Sequence, residues 1–414
     1  MFAARLLSAA DIAPDDWERC MPGEAEGQPY YAACEKAPPQ GFELSAVAVF
    51  SGPRSFSVAS AELQTAEVTP SSRQGKSEPE GSRSGSGLVA LCPVFRLDYN
   101  VATAVQGPAR KIAEIAARLL PGLLRFSVIG LGSPLGERCH IGFDPALDKA
   151  GRQHAAQAML EALDLHAKAN KISMVAVKDL TQADNVALAA TLGAAKLARV
   201  NSLPVAVLDL TGADEAAYFA RLSPATRKDL RRKLAKSTDV RIEQRAGIEG
   251  IETEIEALYE ATRSRSTLDY GAFEDLPPQF FARTMAALGP RAFLMLYYVG
   301  DRIAAFNLML RDDNRLIDKF WGMHPDIARA HSLYFISWMA NVRLCIKQNI
   351  PLLQTGQTAY ANKLRLGSRL VPGHVWFRHR NRLVQACLEI LARFIAFDQM
   401  DPDLQALSRR KARQ

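Results

Sequence analysis

The sequence predicts an α+β protein with two domains, each a mixed β-sheet flanked by helices. The chain has 414 residues, 48% hydrophobic and 23% charged, which is typical of globular proteins and long enough for about two to three domains. Strand and helix patterns alternate along it, and both halves follow the order of strands, a helix and one more strand. A meander of three strands at 292–325 makes this order clearest in the second half.

The first half alternates between the two patterns. Apolar runs bounded by turn residues predict the strands, and apolar residues at helical spacing predict the helices. In chain order we predict strands at 88–97, 126–131 and 172–177, and helices at 109–120, 151–169 and 183–192. Residues 64–87 are rich in Ser, Gly, Pro and charge, which predicts a disordered insertion. We assign residues 1–200 to an N-terminal domain.

The second half begins with a strand and a strongly basic helix. Ser223 is a suitable N-cap for that helix, and Pro224 suits its first turn. The remaining predicted elements are helices at 251–263 and 277–289, the meander at 292–325, a buried helix at 332–348 and a closing strand at 350–356. We assign residues 201–385 to a C-terminal domain and 386–414 to a helix and a basic tail.

Four stretches of the second half resemble a known family. They read YFARLSPATRKDLRRKLAKS, GDRIAAFNLML, IDKFWGMHPDIARAHSLYF and LLQTGQTAYANKLRLG. With the order of meander, helix and strand, they resemble the BioF2-like and FemAB-like acyltransferases of the GNAT superfamily, which pair two GNAT-type domains. The resemblance covers residues 201–380 well and the first half weakly.

The resemblance implies transfer of an acyl or aminoacyl group to an amine. In the GNAT fold, a splay between the fourth and fifth strands frees backbone groups for a pantetheine-like arm, and the next helix offers its N-terminus to a pyrophosphate. The corresponding turn here, 329–332, lacks the family's usual glycines, which disfavours positive φ and close backbone approach. Arg329 and Ser332 are still predicted to contact phosphate, with a plain N-cap role for Ser332 as the alternative.

The strand before that turn supplies candidate catalytic residues. Asp318 lies within an apolar strand, where a carboxylate needs a reason, and His324 follows the strand. Strand alternation predicts Asp318 and Phe320 on one face and Lys319 and Trp321 on the other. We predict catalytic roles for Asp318 and His324 and ligand binding by Trp321, while a turn role remains the alternative for His324.

The stretch after the closing strand supplies the other candidates. Tyr360 and Lys363 match a Tyr-x-x-Lys feature of the family, at a strand end where ligands meet this fold. Tyr360 is predicted to protonate a leaving thiolate, with core packing as the alternative. Lys363 and Gln357 are predicted to bind the substrate or cofactor, with a solvated surface lysine as the alternative for Lys363.

The basic helix has two interpretations. Leu230 and Leu234 share a face that can dock on a core, and Arg227 and Arg231 share another. The helix is either a solvated surface or, with Arg232, a phosphate-binding face, because guanidinium groups match phosphate oxygens. We favour contact with the phosphates of the donor.

The net charge, the cysteine spacing and the apolar runs limit the partners, metal sites and location that the sequence predicts. The net charge of +7 favours anionic partners without proving one, and the six cysteines contain no CxxC pair, so no zinc site is predicted. Four acidic residues among the first twenty argue against a signal peptide, and no uncharged apolar run approaches the roughly twenty residues of a membrane span. A cytoplasmic location is therefore predicted.

Three functions remain open at this level. The first is an N-acyltransferase that uses acyl-CoA and no metal, and acylates an amine of a small molecule, a peptide or a cell-envelope precursor. The second is a Fem-type transferase that uses aminoacyl-tRNA, which is less favoured because the sequence has no sustained heptads for a coiled-coil arm. The third is a non-catalytic tandem protein that binds nucleic acid or a partner.

Overall fold

The structure is a computed structural model, and it describes residues 2–52, 87–100, 125–265, 275–392 and 401–411. The predicted helix at 109–120 lies outside these ranges, as does the predicted insertion at 64–87 except for Gly87. Within the described ranges, the chain forms two mixed β-sheets flanked by helices, as the sequence predicts.

The strands are numbered in chain order. They are β1 (Phe2–Leu7), β2 (Phe42–Ser51), β3 (Leu88–Asn100), β4 (Arg125–Leu131), β5 (Gly142–Phe143), β6 (Met174–Thr181), β7 (Ala198–Asn201), β8 (Val205–Asp209), β9 (Val240–Arg245), β10 (Ala292–Val299), β11 (Arg302–Arg311), β12 (Arg315–Met323), β13 (Leu352–Gln354), β14 (Arg369–Val371) and β15 (Gly373–His379).

The helices of the described ranges are numbered in the same way. They are α1 (Pro14–Cys20), α2 (Gln28–Lys36), α3 (Lys149–Ala169), α4 (Gln182–Ala194), α5 (Glu215–Arg221), α6 (Pro224–Lys236), α7 (Glu252–Arg263), α8 (Phe280–Leu288), α9 (Pro325–Ala330), α10 (Leu333–Lys347), α11 (Tyr360–Arg365), α12 (Arg382–Ala392) and α13 (Pro402–Lys411).

The two sheets share one plan. The first has the order β1-β2-β3-β4-β6-β15-β7, and the second has the order β14-β8-β13-β12-β11-β10-β9. In each, antiparallel strands lead to a helix that crosses to a parallel strand: β4, α3 and β6 in the first, and β12, α10 and β13 in the second. The repeated order predicted from the sequence is therefore a repeat of architecture.

The second half of the chain supplies one strand, β15, to the first sheet. The chain passes from β7 in the first sheet to β8 in the second, and later returns from β14 to β15, which lies between β6 and β7. The two crossings run side by side, since the Ser202 amide donates to the Gly373 carbonyl at 2.9 Å. The predicted C-terminal domain of 201–385 is therefore wrong at its end, because β15 completes the first sheet.

A shared apolar core joins the two halves. One cluster of buried side chains includes Trp17 and Tyr30 from the first helices, Phe281 from α8, and Leu294 and Leu308 from the second sheet. Separate clusters lie under α3 and under α10 on the other faces of the two sheets. The buried helix predicted at 332–348 matches α10, whose apolar residues occur nearly all round because it packs between the sheet and neighbouring helices.

A buried ion pair also crosses between the halves. Lys319 on β12 donates to Glu26 at 2.7 Å, and both side chains are 2% exposed. Burial raises the pKa of Glu26, but the charge and hydrogen bond of Lys319 and the charge of Arg315, among other nearby groups, together outweigh this and hold the pKa below the ordinary value. Nearby, Glu24 accepts from Arg138 and, at 2.9 Å, from Arg315. Two acids from the first 30 residues thus neutralise Arg315 and Lys319 of β12.

We expect Lys319→Met to destabilise the protein by about 3–5 kcal/mol, because it leaves Glu26 as a buried charge without its partner. The double variant Lys319→Met with Glu26→Leu should recover most of that loss, since the pair is replaced by apolar groups. Urea unfolding of the three proteins measures both effects. A single variant as stable as the wild type would show that the pair does not join the halves.

Candidate functional site

The pairing of β12 with β13 ends early and opens a splay between them. Their parallel register runs from Arg315–Leu352 to Ile317–Gln354 and stops there. Asp318 is the next residue of β12. The residues from Asp318 to Met323 continue to pair with β11 only, among the described strands. The splay expected from the family resemblance is therefore located at Asp318.

A β-bulge changes which residues of β12 face each side. Met309 of β11 pairs with Asp318 and Leu308 pairs with Phe320, so Lys319 is the extra residue. As a result, Lys319 and Phe320 both lie toward the core shared by the two halves, and Trp321 packs on the α10 side. The prediction that Asp318 shares a face with Phe320, and Lys319 with Trp321, is wrong because simple alternation fails at a bulge.

Asp318 is held by two buried asparagines. Asn307 of β11 donates to one carboxylate oxygen at 2.8 Å, and Asn341 of α10 donates to the other at 3.3 Å. Burial raises the pKa of Asp318 to about 7, against the lowering effects of the Asn307 hydrogen bond and the charge of Lys363. A carboxyl group with a pKa near neutrality exchanges protons readily at physiological pH.

Lys363 and Glu137 complete the buried charges at the splay. Lys363 of α11 donates to the Thr355 carbonyl, and burial lowers its pKa to about 8 while the charges of Glu137 and Asp318 act to raise it. Glu137 accepts from Gln354 Nε2 at 2.7 Å. Burial raises the pKa of Glu137, while Lys319 and Gln354 oppose that rise.

Gly356 allows these groups to approach one another. Its φ is +82°, and a Cβ there would meet the Glu137 carboxylate at 2.9 Å and the Lys363 ammonium at 3.7 Å. The glycine therefore serves both the turn after β13 and the close packing of the two charged side chains.

The role of Glu137 is not evident from the sequence pattern. It lies in the loop that follows β4 of the first sheet, and this loop also supplies the Leu135 carbonyl that accepts from Lys319. The available signal is the concentration of polar residues in GERCH at 136–140, within a segment that is otherwise apolar and glycine-rich. Only the packing of the two halves shows that the loop reaches the second domain.

Tyr360 and Gln357 brace the chain crossing between the sheets. Tyr360 is 0% exposed and donates its hydroxyl to the Pro204 carbonyl at 2.8 Å. Gln357 donates to the neighbouring Leu203 carbonyl at 2.9 Å. The enclosed Tyr360 matches the packing alternative rather than the predicted proton donor to a thiolate, and it begins the helix α11 that carries Lys363.

His324 and Trp321 lie on the α10 side of β12. His324 precedes α9 as its N-cap without a side-chain capping bond, which matches the alternative of a helix-entry residue. Of the described residues, none bonds to the buried His324 Nδ1 or Trp321 Nε1. The Trp321 ring contacts that of Tyr297, with centroids 5.8 Å apart.

The start of α10 has the backbone shape that the missing glycines were expected to disfavour. Ser332 is its N-cap, with φ of 55° and no side-chain capping bond. The predicted restriction on positive φ is therefore wrong for Ser332. Ser332 does occupy the N-cap position of the alternative, although its hydroxyl makes no capping hydrogen bond. Arg329 is exposed on the preceding short helix α9, where it can meet an anion at this turn.

The basic helix α6 lies beside this turn. Ser237 just after α6 donates to the His331 carbonyl at 2.6 Å, and Lys233 lies 3.4 Å from the ring centroid of Phe335 in α10. The positive residues of α6 thus lie close to the N-terminus of α10, where the helix dipole also favours an anion.

One acid organises the charges of α6. Asp229 accepts from Arg232 at 2.8 Å and Lys233 at 2.9 Å, and it also binds Arg365 of α11. The hydrogen bond from Arg232 lowers the pKa of Asp229 most, and that from Lys233 lowers it further. Arg232 therefore has an intramolecular partner.

The other two predicted phosphate contacts on α6 differ from Arg232. Arg231 is exposed and lies over the Phe219 ring at 5.1 Å. Arg227 is half-buried, and its side chain makes no ion pair or hydrogen bond with another of the described residues. Both leading residues of the predicted phosphate-binding face remain open to an anion.

The buried cluster of Glu24, Glu26 and His140 does not suit a metal ion, although the three side chains lie within 4.8 Å of one another. Arg138 Nε donates to His140 Nε2 at 3.2 Å, so Nδ1 carries the proton and donates to the Tyr31 hydroxyl at 2.6 Å. Burial lowers the pKa of His140 to about 3, so the ring is neutral. Both nitrogens are thus in use, and cationic side chains already neutralise the two acids.

Comparison with known protein families identifies the family to which this chain belongs. The profile of the FemAB-like family, described as peptidoglycan biosynthesis/recognition, matches residues 141–400, which is more than half of the chain. The chain belongs to the FemAB-like family. The match begins within the first half, so it extends beyond the stretch that resembles the family by inspection. No curated protein shows significant similarity to this FemAB-like chain.

Solved structures are similar in fold to this FemAB-like protein. The crystal structure of FemX aligns over 93% of this chain and 99% of FemX, with a TM-score of 0.53 and 10% identity. A tandem GNAT protein from the clavulanic acid biosynthesis pathway aligns over 92% of this chain and 99% of its own, with a TM-score of 0.48 and 12% identity. Within the described residues, no helix is both long and apolar enough to cross a membrane.

The raised pKa of Asp318 gives a testable pH dependence of stability. Because the folded-state pKa of about 7 lies above the unfolded value, ionising Asp318 costs stability, and this cost grows from about pH 4 to pH 7 and persists above. We therefore expect Asp318→Asn to be more stabilising, relative to wild type, at pH 8 than at pH 5. Thermal melts at the two pH values measure this difference.

Asp229→Asn provides the matched control. In the folded wild type, hydrogen bonds from Arg232 and Lys233 lower the pKa of the Asp229 carboxyl group. The stabilising effect of this carboxylate is therefore fully present above the unfolded pKa and is lost only in strong acid. Asp229→Asn should destabilise the protein by a similar amount at pH 5 and pH 8. If Asp318→Asn behaves in the same way, Asp318 is ionised throughout this range.

Proposed function

We propose that this protein is an N-acyltransferase in which Asp318 is the general base. The observation that carries the proposal is a carboxyl group with a pKa of about 7 located where β12 and β13 separate. An amine acceptor is protonated at neutral pH and cannot attack until it loses a proton. A base whose pKa lies near the working pH removes that proton most effectively.

The reaction follows from these groups. Asp318 takes a proton from the acceptor ammonium, and the freed nitrogen attacks the carbonyl carbon of the donor. A C–N bond forms, the bond from the carbonyl carbon to the donor's sulfur or oxygen breaks, and the leaving group takes up the second proton, which the attacking nitrogen releases. The positive charge of Lys363 favours ionised Asp318, and it stabilises the negative charge that develops on the donor carbonyl oxygen.

We propose acyl-CoA as the donor, with its pantetheine arm along the splay and its phosphates near the start of α10. The positive φ of Ser332, exposed Arg329 and the neighbouring α6 support this placement. The acceptor is an amine of a small molecule or a peptide, and the family description favours a cell-envelope precursor. No metal takes part in this proposal.

Aminoacyl-tRNA is the second candidate donor. The FemAB-like profile and the basic surface of α6 favour it, since a polynucleotide needs extended positive charge. Nuclease treatment separates the two donors: activity that survives it supports acyl-CoA, and activity that is lost and then restored by charged tRNA reverses the assignment. Binding of tRNA should also weaken steeply as salt is raised.

We expect Asp318→Asn to lower kcat by about 10²–10⁴-fold for transfer from acyl-CoA to an amine, because the base is removed while the side-chain shape is kept. In the wild type, kcat/KM should rise with pH through about 7, and that rise should disappear in the variant. A panel of acyl-CoAs and amines followed by mass spectrometry supplies the substrates.

Asp164→Asn is the matched control for this experiment. Asp164 lies on α3 in the first half and pairs with Arg378 of β15, and it contacts none of the residues named at the splay. This control should keep the wild-type rate. A base role for Asp318 is excluded if Asp318→Asn retains both the wild-type kcat and its pH dependence.

For the donor phosphates, we expect the triple variant Arg227→Gln, Arg231→Gln and Arg232→Gln to fold and to bind the donor less tightly. Each charged hydrogen bond lost should weaken binding by about 1.5–3 kcal/mol, and the effect should shrink at high salt. Folding should survive because Lys233 and Arg365 still neutralise Asp229.

The control is a second triple variant, which also removes three positive charges but at exposed positions outside α6. Its substitutions are Lys149→Gln, Lys168→Gln and Arg302→Gln. Calorimetric titration with CoA compares the two triple variants. Equal affinities would show that α6 is a solvated surface and does not contact the donor.

A further inference from the structure

Helix α12 presents a row of apolar side chains to solvent. Leu383 and Ile390 are 79% and 58% exposed, and Cys387 between them is also exposed. Residues three and four apart lie on the same side of a helix, so these three side chains form one stripe, with exposed Ala386 beside Cys387. Single exposed apolar residues are ordinary, but a continuous stripe of them marks an interaction surface.

The exposed stripe is not what holds α12 on the protein. A different side of the helix carries Leu388, which is buried, and Val384, which is half-buried. Both pack in an apolar cluster with Phe377 and Phe95, on the face of the first sheet opposite α3. The helix therefore has its own contact with the core, and the stripe is a second apolar side that remains open.

Two opposite charges lie along one edge of the stripe. Arg382 and Glu389 are seven residues apart, or about two helical turns, so they project on the same side of α12, and both are exposed. Within the described residues, Arg382 makes no ion pair, and Glu389 accepts from the neutral Gln385 at 2.8 Å. The edge is therefore positive at the start of the helix and negative near its end.

This pattern is complementary to itself when two copies of the helix run antiparallel. A two-fold axis near Ala386 and Cys387 brings the same edge of each helix together with its direction reversed. Leu383 of one copy then lies opposite Ile390 of the other, and Arg382 lies opposite Glu389, each pair occurring twice. A parallel pair would bring different edges together and leave these charges unmatched.

The same charges disfavour a lipid surface as the occupant of the stripe. A helix that lies on an anionic membrane carries basic residues along the polar positions beside its apolar face. Here Glu389 occupies one of those positions, where it would be repelled by acidic lipid headgroups. A second copy of the chain, by contrast, offers Glu389 an arginine.

We propose that the α12 stripe of Leu383, Ala386, Cys387 and Ile390 is a homodimer interface, in which α12 packs antiparallel against α12 of a second copy. A single pair of short helices buries less area than a stable interface does, so the dimer is weak and reversible. Because α12 packs on the first sheet and the splay lies in the second, the inference does not depend on the proposed function.

Sedimentation equilibrium of the full-length protein, from micromolar to millimolar concentration, tests the association. Wild-type protein should show a reversible monomer–dimer equilibrium. Leu383→Glu should weaken it at least tenfold, because it places a charge in the apolar contact, and should melt like the wild type because the side chain is exposed. The matched control is Leu165→Glu on α3, at a position 71% exposed and outside the stripe, which should leave the dissociation constant unchanged.

Charge reversal tests the antiparallel arrangement. Arg382→Glu and Glu389→Arg should each weaken self-association several-fold, because like charges then face each other at both ends of the helix pair. A mixture of the two single variants should associate more tightly than either variant alone, since every facing pair is then opposite in charge. The double variant should recover the association of the wild type for the same reason.

Cross-linking through Cys387 tests where the axis lies. A short bis-maleimide should join two chains at Cys387, because the other five cysteines are buried. Cys387→Ser should abolish the cross-linked dimer, and Leu383→Glu should lower its yield. A cross-linked yield that Leu383→Glu leaves unchanged would contradict the proposed contact.

The inference is overturned if the wild type remains a monomer over the whole concentration range. It is also overturned if folded Leu383→Glu and both charge-reversal variants associate as the wild type does, since the dimer then uses another surface. Monomeric protein that binds phosphatidylglycerol vesicles and loses that binding with Leu383→Glu would assign the stripe to a lipid surface and would overturn the inference as well.

Discussion

The early end of the β12–β13 pairing is the constraint from which the site follows. A parallel pair that continued past Ile317 would satisfy the backbone of β12 and leave no space for a ligand. Because the pairing stops, Asp318 lies at the point of separation, and the bulge at Lys319 turns the next residues about the strand. On one side of β12, Asp318 meets Asn307 of β11 and Asn341 of α10. On the other side, Lys319 is buried between the two halves.

The two halves are linked by charge as well as by apolar packing. Lys319 depends on Glu26 from the N-terminal segment, and the loop after β4 places Glu137 against Gln354. A buried acid next to a buried lysine shifts the pKa of each, so a change in the first half is felt electrically at Asp318. The first half is therefore part of the site even though the family motifs lie mainly in the second.

Local patterns in the sequence were enough to predict most of the fold. The meander, the apolar α10 and the basic α6 all follow from periodicity and capping residues, and the FemAB-like resemblance predicts the tandem arrangement. The return of β15 to the first sheet was not predictable in this way, because pairing partners far apart in sequence leave no local signal.

The site was only partly predictable for similar reasons. Asp318 stands out as a carboxylate in an apolar strand, and Lys363 as part of a motif. Asn307 and Asn341 do not, since a single asparagine in a strand or helix has many uses. The bulge reverses the predicted faces of β12, and enclosure of Tyr360 gives it a packing role that a motif cannot distinguish from a chemical one.

The return of β15 to the first sheet also imposes an order on folding. Until β15 is available, β6 has an open edge and β7 lacks its described partner, so the first sheet cannot close. The first half emerges from the ribosome long before residues 373–379 do, and it must wait with an unpaired edge while the second sheet forms. Such long-range pairing is slow to form, and it makes the two sheets one cooperative unit rather than two independently folding modules.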